Sequence, residues 1–462
     1  MNGDDPVADA AMMKLSEAAR ALPGRLTGAD VEIRGVTTDS RRVSAGDLFV
    51  ALVGERHDAH DFVAEALRRG AAAALVSREV SGAAPFSQLR VDDTLAALGR
   101  LAAHWREKFA IPLVALTGSN GKTTVKEMLA AILAAHAGGR AAVLATQGNL
   151  NNDIGMPLTL LGLRPGHRFA VIEMGMNHEG EIDYLTRIAQ PTVALVNNAQ
   201  RAHVGILGSV EAIARAKGEI YAGLGPSGIA VINEDDAFAR YWRGLNRGRR
   251  VISFGFKPEA DVRGAVTPAG WRIATPAGAF EFAPQVRGEH NLRNAMAAVA
   301  ATCALDVSTG SMREGLAAFA GVAGRLQRRR GPGTSLVIDD SYNANPESMR
   351  AAIRVLAEER ARKVFVMGDM GELGETSPGM HAEVGRFARE AGIDALLALG
   401  KDSRKAVEAF GEGARHFEDV EALRGAARAE AASGAAILVK GSRFMQMERV
   451  ADALAAEGGH AV

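Results

Sequence analysis

The chain has 462 residues, with 54 Lys and Arg against 54 Asp and Glu, so its formal net charge is zero. That balance excludes a general attraction to nucleic acid or to an anionic membrane, so any polyanion must be held by a local site. At 47% hydrophobic and 23% charged residues the composition excludes a largely disordered chain, and the length accommodates about two to four domains.

In chain order, residues 1–108 carry helical stretches at Leu15–Leu22 and Ala64–Arg69 and apolar runs ending near Leu52, Val76 and Val91, which predicts a small α/β N-terminal domain. A helical stretch from Leu95 to Lys108 ends ahead of Ile111-Pro112, because proline disfavours helix in the residue before it. From there, apolar runs at Leu113–Leu116, Phe169–Ile172, Val193–Val196 and Ile229–Ile232 alternate with helical or loop sequence, including a helix from Thr124 to His136. This alternation predicts a central parallel sheet, covered on both faces, over residues 109–323. Residues 251–286, with Gly, Pro, Trp271 and alternating apolar positions, read as a β-rich appendage before a helix from His290 to Leu305. Residues 324–462 open a second series, with strands at Leu336–Ile338, Val364–Met367, Leu396–Leu399 and Ile437–Val439, which predicts a doubly wound, Rossmann-like domain. One of its helices starts at Asn345-Pro346-Glu347, with Asn as N-cap and Pro in the first turn. The fold class is therefore α/β in three domains.

The single Cys303 excludes an internal disulfide or a cysteine-built zinc site, which suits a reducing cytoplasm. The first twenty residues are acid-led without an uninterrupted apolar core, which predicts no signal peptide, and no run approaches the ~18 apolar residues of a membrane span. A cytoplasmic protein without membrane insertion or nucleic-acid partner is expected, and the lack of heptads predicts a monomer.

The strongest chemical signal is Thr117-Gly118-Ser119-Asn120-Gly121-Lys122-Thr123-Thr124, between a strand and a helix. Glycines let the backbone wrap a phosphate, the helix start offers free N–H groups, Lys122 adds a point charge and Thr123 can reach Mg²⁺. The common spacing G-x-x-x-x-G-K-S/T would need glycine where Leu116 stands, so the loop is a shorter variant of the P-loop. It predicts a nucleoside triphosphate site, and leaves open whether the γ-phosphate passes to water, a hydroxyl or a carboxylate. Glu173 follows a strand directly, as a Mg²⁺-binding acid or as a solvated loop acid. His203 ends the polar loop Asn197-Asn198-Ala199-Gln200-Arg201-Ala202-His203, again beyond a strand's carboxyl end, as a ligand or as a structural histidine.

The P-loop is followed, in order, by Gln147-Gly148-Asn149-Leu150-Asn151-Asn152-Asp153-Ile154-Gly155, Glu173-Met174-Gly175, His203, Ala216-Lys217-Gly218-Glu219, Gly288-Glu289-His290-Asn291-Leu292-Arg293-Asn294 and Gly324-Arg325. The series resembles the Mur ligase superfamily of ATP-dependent amide-bond ligases. Within it, Asp339-Asp340-Ser341-Tyr342-Asn343-Ala344-Asn345-Pro346 and Gly368-Asp369-Met370-Gly371-Glu372-Leu373-Gly374 are similar to the members that add D-Ala-D-Ala to UDP-MurNAc-tripeptide. Sister ligases tend to carry an aspartate-tyrosine-alanine-histidine segment where this chain has DSYNANP. One local departure is His57-Asp58-Ala59-His60, where relatives more often have Asp-Gly-His.

The resemblance implies a UDP-binding first domain, a central ATPase domain and a closing C-terminal domain. It implies that a peptide carboxylate attacks ATP to give an acyl phosphate, which the dipeptide amine then opens. It places ATP on Thr117–Thr124, Asn291, Asn294, Arg325 and Asp340, and one Mg²⁺ on Thr123 and Glu173. A second Mg²⁺ is implied near His203 and a carbamylated Lys217, so Lys122, Glu173, His203 and Lys217 form the catalytic set. Ser40 and Arg41 are similar to the UDP-sugar signature, Asn149 and Asn152 lie in the loop near substrate, and Tyr342 and Asn345 border nucleotide or dipeptide. Lys440 and Ser442, between a strand and a helix, are assigned to the dipeptide or the acyl phosphate. Two other readings stand beside this one: a sister ligase adding a different amino acid, and a P-loop switch or transport ATPase.

Overall fold

The computed structural model describes residues 11–80 and 86–455. The first ten residues, on which part of the expectation of no signal peptide rests, lie outside the described residues. Among the described residues the strands form three large sheets and one two-stranded ladder. The first sheet has the order Arg25–Thr27, Ser87–Arg90, Ala73–Val76, Asp47–Val50, Gly35–Thr37, parallel except for its first strand. The helix Thr94–Arg106 leaves it, capped by Asp93, whose carboxylate accepts the N–H groups of Leu95 and Ala96. This helix buries its apolar face against the next domain, where Trp105 Nε1 donates to Leu163 O and Arg106 Nε to Ala189 O.

The central sheet has nine strands, in the order Gly278–Phe282, Gly270–Thr275, Val262–Thr267, Arg250–Gly255, Ile229–Asn233, Val193–Val196, Leu113–Thr117, Phe169–Glu173, Val143–Ala145. Its parallel strands are largely apolar because helices cover both faces, and two buried clusters flank them. The segment expected to be an appendage is instead the continuation of this sheet. Phe254 and Gly255 pair in parallel with Val262 and Arg263, and the antiparallel turns that follow add two strands. Trp271, Ile273, Phe280 and Phe282 face inward against the helices Glu289–Cys303 and Thr309–Ala318, so alternation here marks one covered face of a sheet edge.

The third sheet has the order Gln327–Arg330, Leu336–Asp340, Ala436–Lys440, Lys363–Gly368, Ala395–Leu399, Ala414–Phe417, parallel but for its first strand. Its expected central strands and the Asn345-capped helix Pro346–Ala357 are present, the cap closing on Ser348 in a reciprocal box. The two edge strands are additions, drawn from charged sequence that suits a sheet margin. No helix among the described residues is long and apolar enough to cross a membrane.

Candidate active site

The strand Leu113–Thr117 delivers the phosphate loop to the start of the helix Lys122–Ala137. Gly121 caps that helix at φ +80°, and a Cβ there would stand 2.3 Å from Asn294 Oδ1. The loop is held by amides. Asn198 Oδ1 accepts the Asn120 N–H at 2.8 Å, and Asn197 Nδ2 bridges Asn120 O and Asn294 Oδ1 at 2.9 and 3.0 Å. Ser119 Oγ donates to Gln200 O and accepts its N–H, while Thr117 Oγ1 donates to Met174 O. Asn291 and Asn294 are both buried at the start of the helix Glu289–Cys303 and hydrogen-bond each other, while Gly288 takes the cap position. Lys122 folds back onto Gly118 O at 2.7 Å, and burial lowers its pKa.

Glu173 ends its strand at 2% exposure. Its Oε1 accepts from Asn151 Nδ2 at 2.8 Å and its N–H is fixed by Thr146 Oγ1, while Oε2 is buried without a hydrogen-bond partner. Lys126, equally buried, donates to Thr146 O at 2.6 Å and stiffens the same corner. Lys217 lies at the end of the helix Val210–Gly218 at 1% exposure, with no ion pair to its ammonium among the described residues. Burial, and then the charge of Lys122, push its pKa well down. Glu219, two residues on, caps the helix Glu181–Ala189 through the N–H groups of Gly180 and Asp183, tying this segment to the turn after Glu173.

The third domain seats directly on this surface. Arg325 donates to Thr123 Oγ1 at 3.0 Å and stacks over Tyr342 at 4.2 Å. Asn345 and Asn120 exchange amide hydrogen bonds of 2.7 and 3.2 Å. His203, at φ +64°, sets Nδ1 2.6 Å from Glu372 Oε2, in contact but poorly aligned for a hydrogen bond, and this contact holds the Glu372 carboxyl below its usual pKa. Gly205 N–H donates to Glu372 O, and a Cβ on Gly205 would stand 2.4 Å from Gly374 N. Arg201 reaches Glu347 and, bidentately, Glu383 at 2.8 and 2.9 Å.

The other expected residues lie elsewhere or are engaged. Ser40 and Arg41 form a turn of the first domain, where Asp39 chelates the Arg41 side chain and is lowered to about 2. The departure at His57–His60 packs well: His60 is 2% exposed, with Nδ1 at 2.5 Å from Asp58 and Nε2 accepting from Ser77 N. Asn149 is exposed, and Asn152 Oδ1 accepts the Gly155 N–H at the start of the helix Gly155–Leu161, so the loop's link to Glu173 is its neighbour Asn151. Lys440, 2% exposed, donates to Asp340 Oδ2 at 2.5 Å and Asn343 O at 2.8 Å, and burial raises the Asp340 pKa. Ser442 donates to Ala344 O and accepts from Gly371 N, and the expected helix, Glu448–Leu454, follows after a 3-10 turn at Arg443–Met445. Among the described residues no group of three or more His, Cys, Asp or Glu could hold a metal ion by itself. Asn151, Asn197, Asn198 and Gln200 are the site residues that sequence reasoning left without a role. Their sole signal was the density of amides in two loops at strand ends.

Comparison with known proteins agrees along the whole chain. The Mur ligase family, catalytic domain, matches residues 32–106; the Mur ligase middle domain matches 116–302; and the Mur ligase, glutamate ligase domain, matches 324–443. The UDP-N-acetylmuramoyl-tripeptide–D-alanyl-D-alanine ligase of Escherichia coli (strain K12) is 44% identical, covering 96% of this chain and 98% of its own. Crystal structure I of MurF from Acinetobacter baumannii superposes with a TM-score of 0.89 at 40% identity, over 96% of this chain and 99% of that one. MurF ligase from Thermotoga maritima in complex with ADP gives 0.78 at 28% identity, over 91% and 96%.

Proposed function

The chain belongs to the Mur ligase family, and we propose for it the reaction in its relatives' names: ATP-dependent joining of D-alanyl-D-alanine to UDP-N-acetylmuramoyl-tripeptide. It is a ligase that uses ATP on small-molecule substrates. The products are UDP-MurNAc-pentapeptide, ADP and phosphate, and the product class is a peptidoglycan precursor. Residues 1–108 take the UDP end, 109–323 the ATP and 324–462 close over the amide-forming step. The protein works as a cytoplasmic monomer without a nucleic-acid partner.

The tripeptide carboxylate attacks the γ-phosphorus, and the bond to the ADP oxygen breaks. The dipeptide amine then attacks the acyl carbon, a proton leaves the nitrogen and phosphate departs. Carboxylate and triphosphate repel, so positive charge must be concentrated where they meet. Lys122 and Arg325 supply it from two domains, and the N–H groups of Gly121–Thr123 at the helix start are left for the phosphates, those of Ser119 and Asn120 being held by Asn198. Asn291 and Asn294 offer paired donors and acceptors to the adenine edge, and Tyr342 and Asp340 border the nucleotide from the third domain. Seating of that domain excludes water that would hydrolyse the acyl phosphate.

The donor set fits Mg²⁺ carried in by the nucleotide. Thr123 and the unpartnered Glu173 Oε2 suit one ion, and His203 with a modified Lys217 suits a second. When bound, the ions neutralise charge moving toward the leaving ADP. A lysine buried without a counter-ion beside Lys122 favours its neutral amine, which adds to CO₂ with loss of one proton. The resulting carbamate reverses the charge and offers oxygen ligands.

The observation that carries this reading is the direct seating of Arg325, Asn345 and Glu372 on the phosphate loop and His203. Its test is phosphate release with ATP and UDP-MurNAc-tripeptide, adding D-Ala-D-Ala, D-Ala or Glu separately. Turnover dependent on D-Ala-D-Ala is expected. Dependence on a different amine would make the chain a sister ligase, and turnover without any amine would overturn ligation.

A further inference from the structure

The dipeptide must present a terminal carboxylate to some cation, and the residues expected to meet it are engaged. Lys440 is buried on Asp340, Arg443 pairs with Glu448, and Ser442 is held by Ala344 and Gly371. A cleft of about 600 Å³ opens one strand further along the same sheet, beyond the carboxyl ends of Ala395–Leu399 and Ala414–Phe417. In open α/β sheets ligands settle at that edge. Leu399, Phe417, Val420 and Met445 give it apolar walls, and Lys401, Arg404 and Arg449 give it cations.

The charges in the cleft do not cancel. Glu418 is taken by Arg404, and Asp419 caps the helix Val420–Ala432 through Ala422 N. Arg449 donates to backbone carbonyls alone, at Gln446 and Met445, and Lys401 has no partner among the described residues. Two positive charges thus face the cleft without a carboxylate. The floor is fixed: Asp369 accepts the N–H groups of Asp402 and Ser403, and Gly400, at φ +124°, leaves no room for a Cβ beside it.

The cleft also neighbours the turn whose Glu372 meets His203 of the central domain. The strand Lys363–Gly368, which leads into the turn Gly371–Glu372, pairs in parallel with Ala395–Leu399, which leads into Lys401, so the two loops leave neighbouring strand ends.

We propose that this cleft receives the C-terminal carboxylate of D-Ala-D-Ala, with Lys401 and Arg449 as counter-charges, the methyl groups on the apolar walls and the amine directed to the Gly371–Glu372 turn. The proposal rests on the ligase reading and adds the place where the acceptor is recognised. Its test uses the full chain and two acceptors, D-Ala-D-Ala and D-alanyl-D-alanine amide, which lacks the terminal charge. Lys401→Met should raise KM for the acid about tenfold or more, leave KM for ATP and for the UDP-tripeptide unchanged, and erase the preference for acid over amide. Lys401→Arg should keep that preference, and Lys405→Met, on the following helix Arg404–Phe410 and paired with Glu408, should change nothing. An unchanged acid-to-amide ratio in both Lys401→Met and Arg449→Met would overturn the proposal. Wild-type enzyme that fails to ligate D-Ala-D-Ala would instead overturn the ligase reading itself.

Discussion

The carboxyl edges of the central and C-terminal sheets share one architecture and differ in how their charges are balanced. At the third sheet, Asp340 meets Lys440, and Asp369 meets two backbone N–H groups. At the central sheet, among the described residues, Lys217 lacks a counter-ion and one oxygen of Glu173 lacks a donor, while its other oxygen meets the neutral amide of Asn151. A buried charge left unpaired is costly, so its persistence marks where a ligand completes the balance. The paired stretch at Asp340 and Asp369 supports geometry, whereas Lys217 and Glu173, like Lys401 and Arg449 in the neighbouring cleft, await a ligand.

The comparison can be broken from either side. The largest effect is expected at the paired edge, where Lys440→Met leaves Asp340 buried alone and costs about 3–5 kcal/mol in urea unfolding. The double variant with Asp340→Asn should recover part of that loss, and a neutral result for the single change would deny the pairing any structural role. At the unpaired edge, Lys217→Ala should cut turnover on the order of 10²–10³-fold while leaving stability near wild type. Short carboxylic acids should restore some activity to it, whereas Lys217→Arg should not respond.

A pH series sharpens the boundary between the edges. His290, partly exposed but with its ring Nε2 buried, lies near Lys440 and Arg293 and is lowered to about 4, chiefly by burial of the ring. The unfolded chain takes up this proton near pH 6.5, before the folded one does, so stability falls as pH drops from about 6.5 to 4, by up to about 3 kcal/mol. His290→Gln should flatten that part of the profile. The smallest effect is expected from Asn151→Ala, which frees Glu173 Oε1 and should lower kcat/KM about ten- to a hundredfold with a higher Mg²⁺ requirement. An unchanged Mg²⁺ titration would remove Asn151 from the support of Glu173.

What could be read from sequence was what chemistry forces to be local. The loop Thr117–Thr124 declares itself because a phosphate needs glycines, a lysine and a helix start in immediate succession. The buried strands show as apolar runs because both faces are covered. Gln327–Arg330 hides as a strand because an edge tolerates a run of arginines, and Val262–Thr267 hides as part of the central sheet because two residue pairs join it there. Asn151 on Glu173 spans 22 positions, and Asn120 on Asn345 spans 225; no periodicity reports such distances. Lys440 misled for a related reason: a cation at a strand's end looks ready for a ligand until its partner, 100 residues earlier, is in place.

The bare contact between Gly205 and Gly374 bears on timing. Where two backbones meet with no side chain between them, no rotamer change can absorb a misfit. Any error in the angle of the third domain is therefore passed undiminished to the gap between amine and acyl carbon. Since a displacement of about 1 Å can cost a hundredfold in rate, the seam acts as a mechanical gauge. In the proposed reaction, amide formation would run when the domain is fully home and idle when it is nearly so.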